Sequence, residues 1–297
     1  MKIKPKCISC EIKGAFEQIK LSTEKEDVTF KALRAILNYL HTASFQNITP
    51  AEVGAERNRI IKEITSCFDP YLEIKNKMND TARKLKPLAK DYISKGENEK
   101  DKFKRAIKTA VLGNYFDFSV SEHEIGFSTL KEKFRSALDM DINHDESETV
   151  TCQIFSSDKI LYLLDNPGEA ILDQLLLKEI LKNGCRISIA ARSGPVQDDV
   201  TLEMAEELNL SKFGNLIPAG QSPGVNPKKA PKELKRELDS ADVIISKGQG
   251  NYEILSEFES SYKGRLAYLL MSKCEPVSAS LGVPKGSMVV SFVAGVD

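Results

Sequence analysis

The stretch Lys159-Ile160-Leu161-Tyr162-Leu163-Leu164-Asp165-Asn166-Pro167-Gly168-Glu169 decides the fold. Apolar residues run unbroken from Ile160 to Leu164 and stop at Asp-Asn-Pro-Gly, and helical spacing follows at Ile171, Leu172, Leu175, Leu176 and Ile180. A short apolar run bounded by a Pro-Gly turn reads as a buried strand. Pro167 suits the first helical position, where its missing N–H would be unpaired in any case. Asp165 and Asn166 are therefore expected at the carboxyl end of a strand, facing a helix N-terminus. In open α/β sheets ligands bind at that edge. The plainer reading is a strand-to-helix turn in which Asn166 serves as N-cap.

The same alternation continues toward the C-terminus. Strand-like runs are Ile187–Ala190, Val243–Ile245, Leu266–Met271 and Met288–Val293, with Leu216-Ile217 as a short further one, and helical stretches lie between most of them. Near-continuous apolar strands alternating with helices imply a mostly parallel sheet covered on both faces. Toward the N-terminus the pattern is helical. Phe30, Leu33, Ile36, Leu37 and Leu40 recur at helical spacing, and Thr49-Pro50-Ala51-Glu52 forms a capping box with proline at the first helical position. The acidic stretch from Asp139 to Glu148 reads as the link between the halves, or as a surface loop within one compact body. The expected organisation is thus an α/β domain with a mostly parallel sheet over residues 151–297, preceded by an all-helical domain over residues 1–150.

Composition narrows the class. The chain has 297 residues, is 41% hydrophobic and 29% charged, and carries a formal net charge of −1. Such a chain can bury a sizeable core, and its charge points neither to nucleic acid nor to an anionic membrane. No apolar run reaches transmembrane length. The basic start lacks the apolar core of a signal peptide, so the expected location is the cytoplasm, with the cysteines reduced. Cys7-Ile8-Ser9-Cys10 is half of a zinc site or a redox pair, or simply thiols packed near a helix start.

Chemistry is expected at the strand ends. Asp165-Asn166 with Glu169, Asp198-Asp199 after the strand ending near Ala190, and Lys247-Gly248-Gln249-Gly250-Asn251 after Val243–Ile245 would share one edge of a parallel sheet. Carboxylates and an amide oxygen suit Mg²⁺ or Mn²⁺. A Gly-x-Gly loop entering a helix offers backbone N–H groups to phosphate, and Lys247 and Lys273 add positive charge. A divalent metal beside such a loop equips a site for phosphoryl chemistry. The bland readings are that Asp198-Asp199 cap the helix near Thr201 and that Lys273 is a solvated surface lysine. Proline at 167 excludes the second aspartate of a haloacid-dehalogenase-type site, and neither a P-loop nor a Gly-x-Ser-x-Gly elbow is present. The Gly248 loop fits only part of a dinucleotide fingerprint, having Glu253 at its last glycine.

Asp165-Asn166-x-Gly168-Glu169, Asp198-Asp199-Val200-Thr201, Lys247-Gly248-Gln249-Gly250-Asn251-Tyr252-Glu253 and Lys273-Cys274, in that order, resemble the damage-control phosphatase family. Cys7 to Cys10, Asp69-Pro70-Tyr71 with Lys75 and Asn79, and Gly113-Asn114-Tyr115-Phe116-Asp117-Phe118 resemble its prokaryotic, nucleotide-phosphatase-like branch. The resemblance implies a helical domain packed on a three-layer α/β/α sandwich. It implies a divalent metal (Mn²⁺, Ni²⁺, Co²⁺ or Mg²⁺) on Asp165, Asn166 and Asp199, with phosphate held by Lys247, Gly248, Gln249, Gly250, Asn251 and Lys273. It places Asn114 and Asp117 as site-lining positions. Asp198 departs from the asparagine expected there. The implied substrate is a small phosphorylated metabolite such as a damaged nucleotide or a sugar phosphate. The expected activity is a metal-dependent phosphomonoesterase in which Asp198 or Glu169 acts as base or orients water, and Asp165 serves the metal rather than attacking phosphorus. The rival readings are a phosphometabolite-binding protein without turnover and a dinucleotide-dependent oxidoreductase.

Overall fold

The computed structural model describes residues 1–115 and 127–295. Three helices, α1 (Pro5–Ser22), α2 (Glu26–Thr42) and α3 (Pro50–Thr65), form a body around Ala15, Ile19, Ala32, Ile36, Val53 and Ile61. The capping box expected at α3 is present: Glu52 N donates to Thr49 Oγ1 at 3.3 Å, and Thr49 N donates to Glu52 Oε2 at 3.1 Å. Then come α4 (Leu72–Ser94), α5 (Glu99–Tyr115), α6 (Phe127–Asp139), strand β1 (His144–Asp145) and α7 (Ser147–Phe155). The side chain of Asn114, and Asp117 altogether, lie outside the described residues.

From there strands and helices alternate: β2 (Lys159–Leu163), α8 (Pro167–Lys182), β3 (Arg186–Ala191), α9 (Leu202–Glu207), β4 (Asn215–Pro218), α10 (Lys232–Ser240), β5 (Val243–Lys247), α11 (Gly248–Leu255), β6 (Leu266–Met271), α12 (Glu275–Leu281) and β7 (Met288–Phe292). The strands form one seven-stranded sheet in the order β1-β7-β6-β5-β2-β3-β4. Every neighbouring pair is parallel except β6 with β7. Strand period puts Ile160, Tyr162 and Leu164 on the face covered by α4 to α8, and Leu161 and Leu163 on the face covered by α10 to α12. Helix α8 packs against α4 and α5 and shares its core with the sheet, while α5 also packs directly on β6 and β7. That position explains why α8 is buried nearly all round rather than along one stripe. Residues of α4, α5 and α6 share their hydrophobic core with the sheet.

Two features differ from the sequence pattern. The polar stretch expected to be a link or a surface loop supplies β1, because His144 and Asp145 pair with Val289 and Val290 at the sheet margin. The last strand runs antiparallel. Gly286, at φ +87°, turns the chain back, and its N–H donates to Ser272 O at 2.7 Å, just past the end of β6.

The connectivity fixes where the chemistry lies. The chain steps outward from β2 to β3 to β4, then crosses back to lay β5 on the other side of β2. In register, Leu163 pairs with Ala190 of β3 and Ser246 of β5. The three strands therefore end in step, and the residues beyond them emerge together at the switch point, where open α/β sheets bind ligands. Among the described residues no helix is long and apolar enough to cross a membrane.

Candidate active site

Asp165 leaves the end of β2 with its backbone held, because its carbonyl accepts from Val200 N at 2.8 Å. Asn166 occupies the N-cap position of α8 but its side chain caps nothing there. Its Nδ2 lies 3.4 Å from Asp165 Oδ2 instead. The capping reading of Asp198-Asp199 is not realised either, since Thr201 caps α9 by accepting from Met204 N at 3.2 Å. Both aspartates are left in the turn before it, with Asp199 buried and Asp198 half-buried.

These residues meet around a cavity of about 190 Å³. Asp165, Asn166, Asp198, Asp199, Gln249, Gly250 and Lys273 line it, together with Gln197 and Pro223. Gly248 is required by a close approach. Its φ is +74°, and a Cβ there would lie 1.8 Å from Asp165 Oδ2. Gly250 is required by another, since a Cβ on it would lie 2.3 Å from Pro223 O. The two glycines thus let the first turn of α11 pack against the Asp165 side chain and the Pro223 backbone. Lys273 stands exposed at the rim, and its backbone N–H donates to Gln249 Oε1 at 3.2 Å.

Lys247, Glu169 and Asn251 are placed otherwise. Lys247 is fully buried beneath the loop. Its ammonium is bonded to Glu169, to Asp173 Oδ1 at 2.7 Å and to Ala110 O at 3.0 Å. Asn251 spends its amide inward as well, donating to Leu164 O at 3.2 Å and Lys247 O at 2.8 Å and accepting from Val225 N at 3.0 Å. Lys247 and Asn251 stand one helical turn apart and point into the body, whereas Gln249 and Gly250 point to the cavity.

The cavity is rich in carboxylate. Burial, then the Asp199 carboxylate, then Glu169 push Asp165 well above the ordinary carboxylate range, with Lys273 and Arg192 opposing. Burial also raises Asp199, against the pull of Arg192 and with Asp198 adding to the rise. Two acids whose ionisation is opposed by burial and by neighbouring carboxylates make a place where a cation is favoured. Their donors are hard oxygens, and with the Asn166 amide they suit a divalent ion of the Mg²⁺ or Mn²⁺ kind. Among the described residues no three His, Cys, Asp or Glu side chains gather as a ligand set. The donor set that fits is therefore two carboxylates and one amide.

Arg192 was not singled out by the sequence. It follows the apolar run of β3, the same signal that marks Asp165 after β2. It is 1% exposed, and its Nε donates to Asp199 Oδ2 at 2.6 Å. Gln197, at φ +45°, belongs to the segment 195–201 expected at this edge, and Pro223 to the Pro- and Gly-broken stretch 219–230 expected as a loop beside it; both line the cavity, though neither was singled out as a site residue. Lys75 and Asn79 of α4 are buried, and the Lys75 ammonium lies 3.0 Å from Asp69 Oδ2. Cys7 and Cys10 sit in the first turns of α1, on the wall of a second cavity of about 770 Å³ that also reaches Cys274 and shares Gln197, Pro223, Gln249 and Gly250 with the first. Burial raises both thiols, and every cysteine is free.

Comparison with known proteins agrees along the whole length. A family model described as the damage-control phosphatase ARMT1-like domain matches residues 3–289. A damage-control phosphatase of Archaeoglobus fulgidus is 34% identical over 297 residues, covering 99% of this chain and 100% of that protein. A damage-control phosphatase of Pyrococcus horikoshii is 32% identical over 293 residues, covering 97% of each. The crystal structure of a DUF89 family protein from Pyrococcus horikoshii superposes with a TM-score of 0.90 at 30% sequence identity, covering 99% of both chains.

Proposed function

The chain belongs to the ARMT1-like damage-control phosphatase family, and from that premise we propose that it is a divalent-metal-dependent phosphomonoesterase whose active site is the Asp165 cavity. The observation that carries this reading is the meeting of Asp165, Asn166, Asp199 and Lys273 around one cavity at the switch point of the sheet. Asp165, Asn166 and Asp199 would hold the ion. When bound, a divalent ion lowers the pKa of water to give a nucleophile near neutral pH and polarises the phosphoryl oxygens.

The chain's own groups divide the remaining work. Asp198, half-buried on the cavity wall, is placed to orient the attacking water and take its proton. Glu169 is less suited to that task, because its carboxylate is fully buried against the Lys247 ammonium. Lys273 meets the phosphate at the rim, and the N–H groups opening α11 add donors for the phosphoryl oxygens. Lys247 and Asn251 hold that loop from beneath. Gly248 and Gly250 are used for close packing against Asp165 and Pro223, which argues against a dinucleotide cradle. The substrate would be a small phosphorylated metabolite, with damaged nucleotides and sugar phosphates as the classes to test first.

The test is phosphate release from a generic aryl phosphate, with and without Mn²⁺, Co²⁺, Ni²⁺ and Mg²⁺, for the wild type and Asp165→Ala. Release that requires metal and is lost in a folded Asp165→Ala protein supports the reading. No release with any of the ions, or full turnover by Asp165→Ala, overturns it.

A further inference from the structure

Asp199 has two carboxylate oxygens, and the fold has already committed one of them. Oδ2 accepts from Arg192 Nε at 2.6 Å. The guanidinium is anchored on its far side too, where Nη2 donates to Pro223 O at 2.8 Å and to Asn251 Oδ1 at 3.2 Å. Asn251 is itself fixed, because its Nδ2 donates to Leu164 O and Lys247 O. One buried arginine therefore ties together the loops that follow β3 and β4 and the first turn of α11. Its backbone is locked to the same turn: Arg192 N donates to Val200 O and Leu202 N donates to Arg192 O, each at 2.9 Å. The side chain and the carboxylate it holds are thus set in register from both ends.

On the reading of the cavity as a divalent-metal site, we propose that Arg192 is a positioning residue that reserves Oδ2 of Asp199, so that Asp199 meets the metal through Oδ1 alone. Chelation by both oxygens would put the ion on the lone pair that Oδ2 has left, one hydrogen bond away from a buried guanidinium whose Nη1 has no hydrogen-bond partner among the described residues to spread its charge. Two like charges brought that close in a buried site repel strongly, so Oδ1 is the favoured ligand. The fork also suits this task in a way a lysine would not. Its planar donors reach a carboxylate and two carbonyl-type oxygens at once, whereas an ammonium is a point charge on a flexible stem.

Single-oxygen ligation has a functional consequence. If Asp165, Asn166 and Asp199 each give one oxygen, half of an octahedral shell stays open for water and a phosphoryl oxygen. A chelating Asp199 would close one of those positions. Arg192 thereby sets how much of the ion is presented to substrate, without touching substrate itself.

Two measurements test this. Calorimetric titration with Mn²⁺ compares the wild type with Arg192→Lys, which keeps the charge and loses the fork. The expected result is a Kd raised by roughly 10-fold or more, with the melting temperature of the metal-free protein changed by only a few degrees. A Kd equal to wild type, with or without a fall in melting temperature, assigns Arg192 a merely structural role and overturns the proposal. The second measurement needs no variant and decides the matter if Arg192→Lys does not fold. A crystal structure of the Mn²⁺-loaded wild type should show Asp199 on the metal through Oδ1, with Arg192 Nε still on Oδ2. A chelating Asp199 overturns the proposal while leaving the metal site intact. A wild type that binds no Mn²⁺ in either measurement removes the metal-site reading and this proposal with it.

Discussion

Replacing Gly248 by alanine puts a methyl group where the Asp165 carboxylate now lies. The added Cβ would stand 1.8 Å from Asp165 Oδ2, 2.1 Å from its Cγ and 2.7 Å from its Cβ, whereas such contacts do not fall below 3.0 Å in real structures. The gap must open by about 1 Å or more. Neither backbone yields readily. Asp165 is held by Val200 N at 2.8 Å, and the glycine loop is pinned by Asn251 and by the close contact of Gly250 with Pro223 O. The Asp165 side chain must therefore turn away from its place, and a displacement of about 1 Å at a reacting centre is worth roughly 10²-fold in rate. The left-handed backbone adds a second, separable effect. At φ +74° an alanine costs about 1–2 kcal/mol, offset in part by the stiffer unfolded chain.

Gly282→Ala separates the two effects. Gly282 has φ +68° with nothing within 4 Å of its added Cβ, and it lies at the C-terminus of α12, away from the cavity. It carries the backbone strain without the clash. Urea unfolding should show stability losses for both variants. Steady-state kinetics on an aryl phosphate with Mn²⁺ should show kcat/KM near wild type for Gly282→Ala and roughly 10²-fold lower for Gly248→Ala. Gly248→Ala turnover within about threefold of the Gly282→Ala value would refute the argument that Asp165 must stand where it does.

Three further outcomes follow from the same geometry. Lys273→Ala should lower kcat/KM by roughly 10²-fold while Mn²⁺ affinity from calorimetric titration stays near wild type, because an exposed rim lysine can meet phosphate without touching metal; unchanged kcat/KM would remove it from the site. Lys247→Met should instead act on stability, by about 3–5 kcal/mol in urea unfolding, because it strands Glu169 and Asp173 in the core; a loss of turnover at unchanged stability would place Lys247 at the phosphate after all. Glu253 is pushed up by burial from 4.5 to about 7, so its contribution to stability is fully present below about pH 4.5 and is lost as pH rises through about 7. Glu253→Gln should remove that loss, gaining on the order of 3 kcal/mol at most at about pH 8 and little at about pH 4; unfolding curves for variant and wild type that stay parallel across this range would contradict the burial of an ionised carboxylate.

The fold was legible wherever burial wrote itself as period. The strands from Ile160, Ile187, Leu216, Val243, Leu266 and Met288 are apolar because helices cover both faces of the sheet. His144-Asp145 carries no such mark, since a two-residue strand at the margin buries little. The antiparallel direction of β7 was unreadable for another reason: direction depends on the turn at Gly286, not on the strand's own residues. In the site, Asp165, Asn166, Asp198, Asp199, Gln249, Gly250 and Lys273 could be placed at one edge because each follows a recognisable strand. Arg192 follows one as well. An arginine after an apolar run reads as the point where the chain meets solvent, and only the return of the 193–200 turn brings Asp199 over it.

Lys247 shows where residue chemistry alone misleads. A lysine opening a Gly-x-Gly loop looks made for phosphate, and its charge is right for it. Direction decides otherwise. As the N-cap of α11, Lys247 shares a helix face with Asn251, and that face is turned to α8 and α5, where Glu169, Asp173 and Ala110 O receive the ammonium. The cations around the cavity then divide into two kinds. Arg192, Lys75 and Lys247 are buried and each is already paired with a carboxylate of its own. Lys273 stands at the rim. An incoming phosphate therefore meets Asp165, Asp198 and Asp199 with Lys273 as the nearest exposed counter-charge. With Arg192 already spent on Asp199, one ammonium cannot offset Asp165, Asp198 and a phosphate dianion together. On the reading of Asp165 and Asp199 as metal ligands, a divalent ion there would resolve the imbalance for both sides at once, relieving the carboxylates and giving the phosphate a positive partner. On that reading the metal would have to be in place before phosphate is held at this edge.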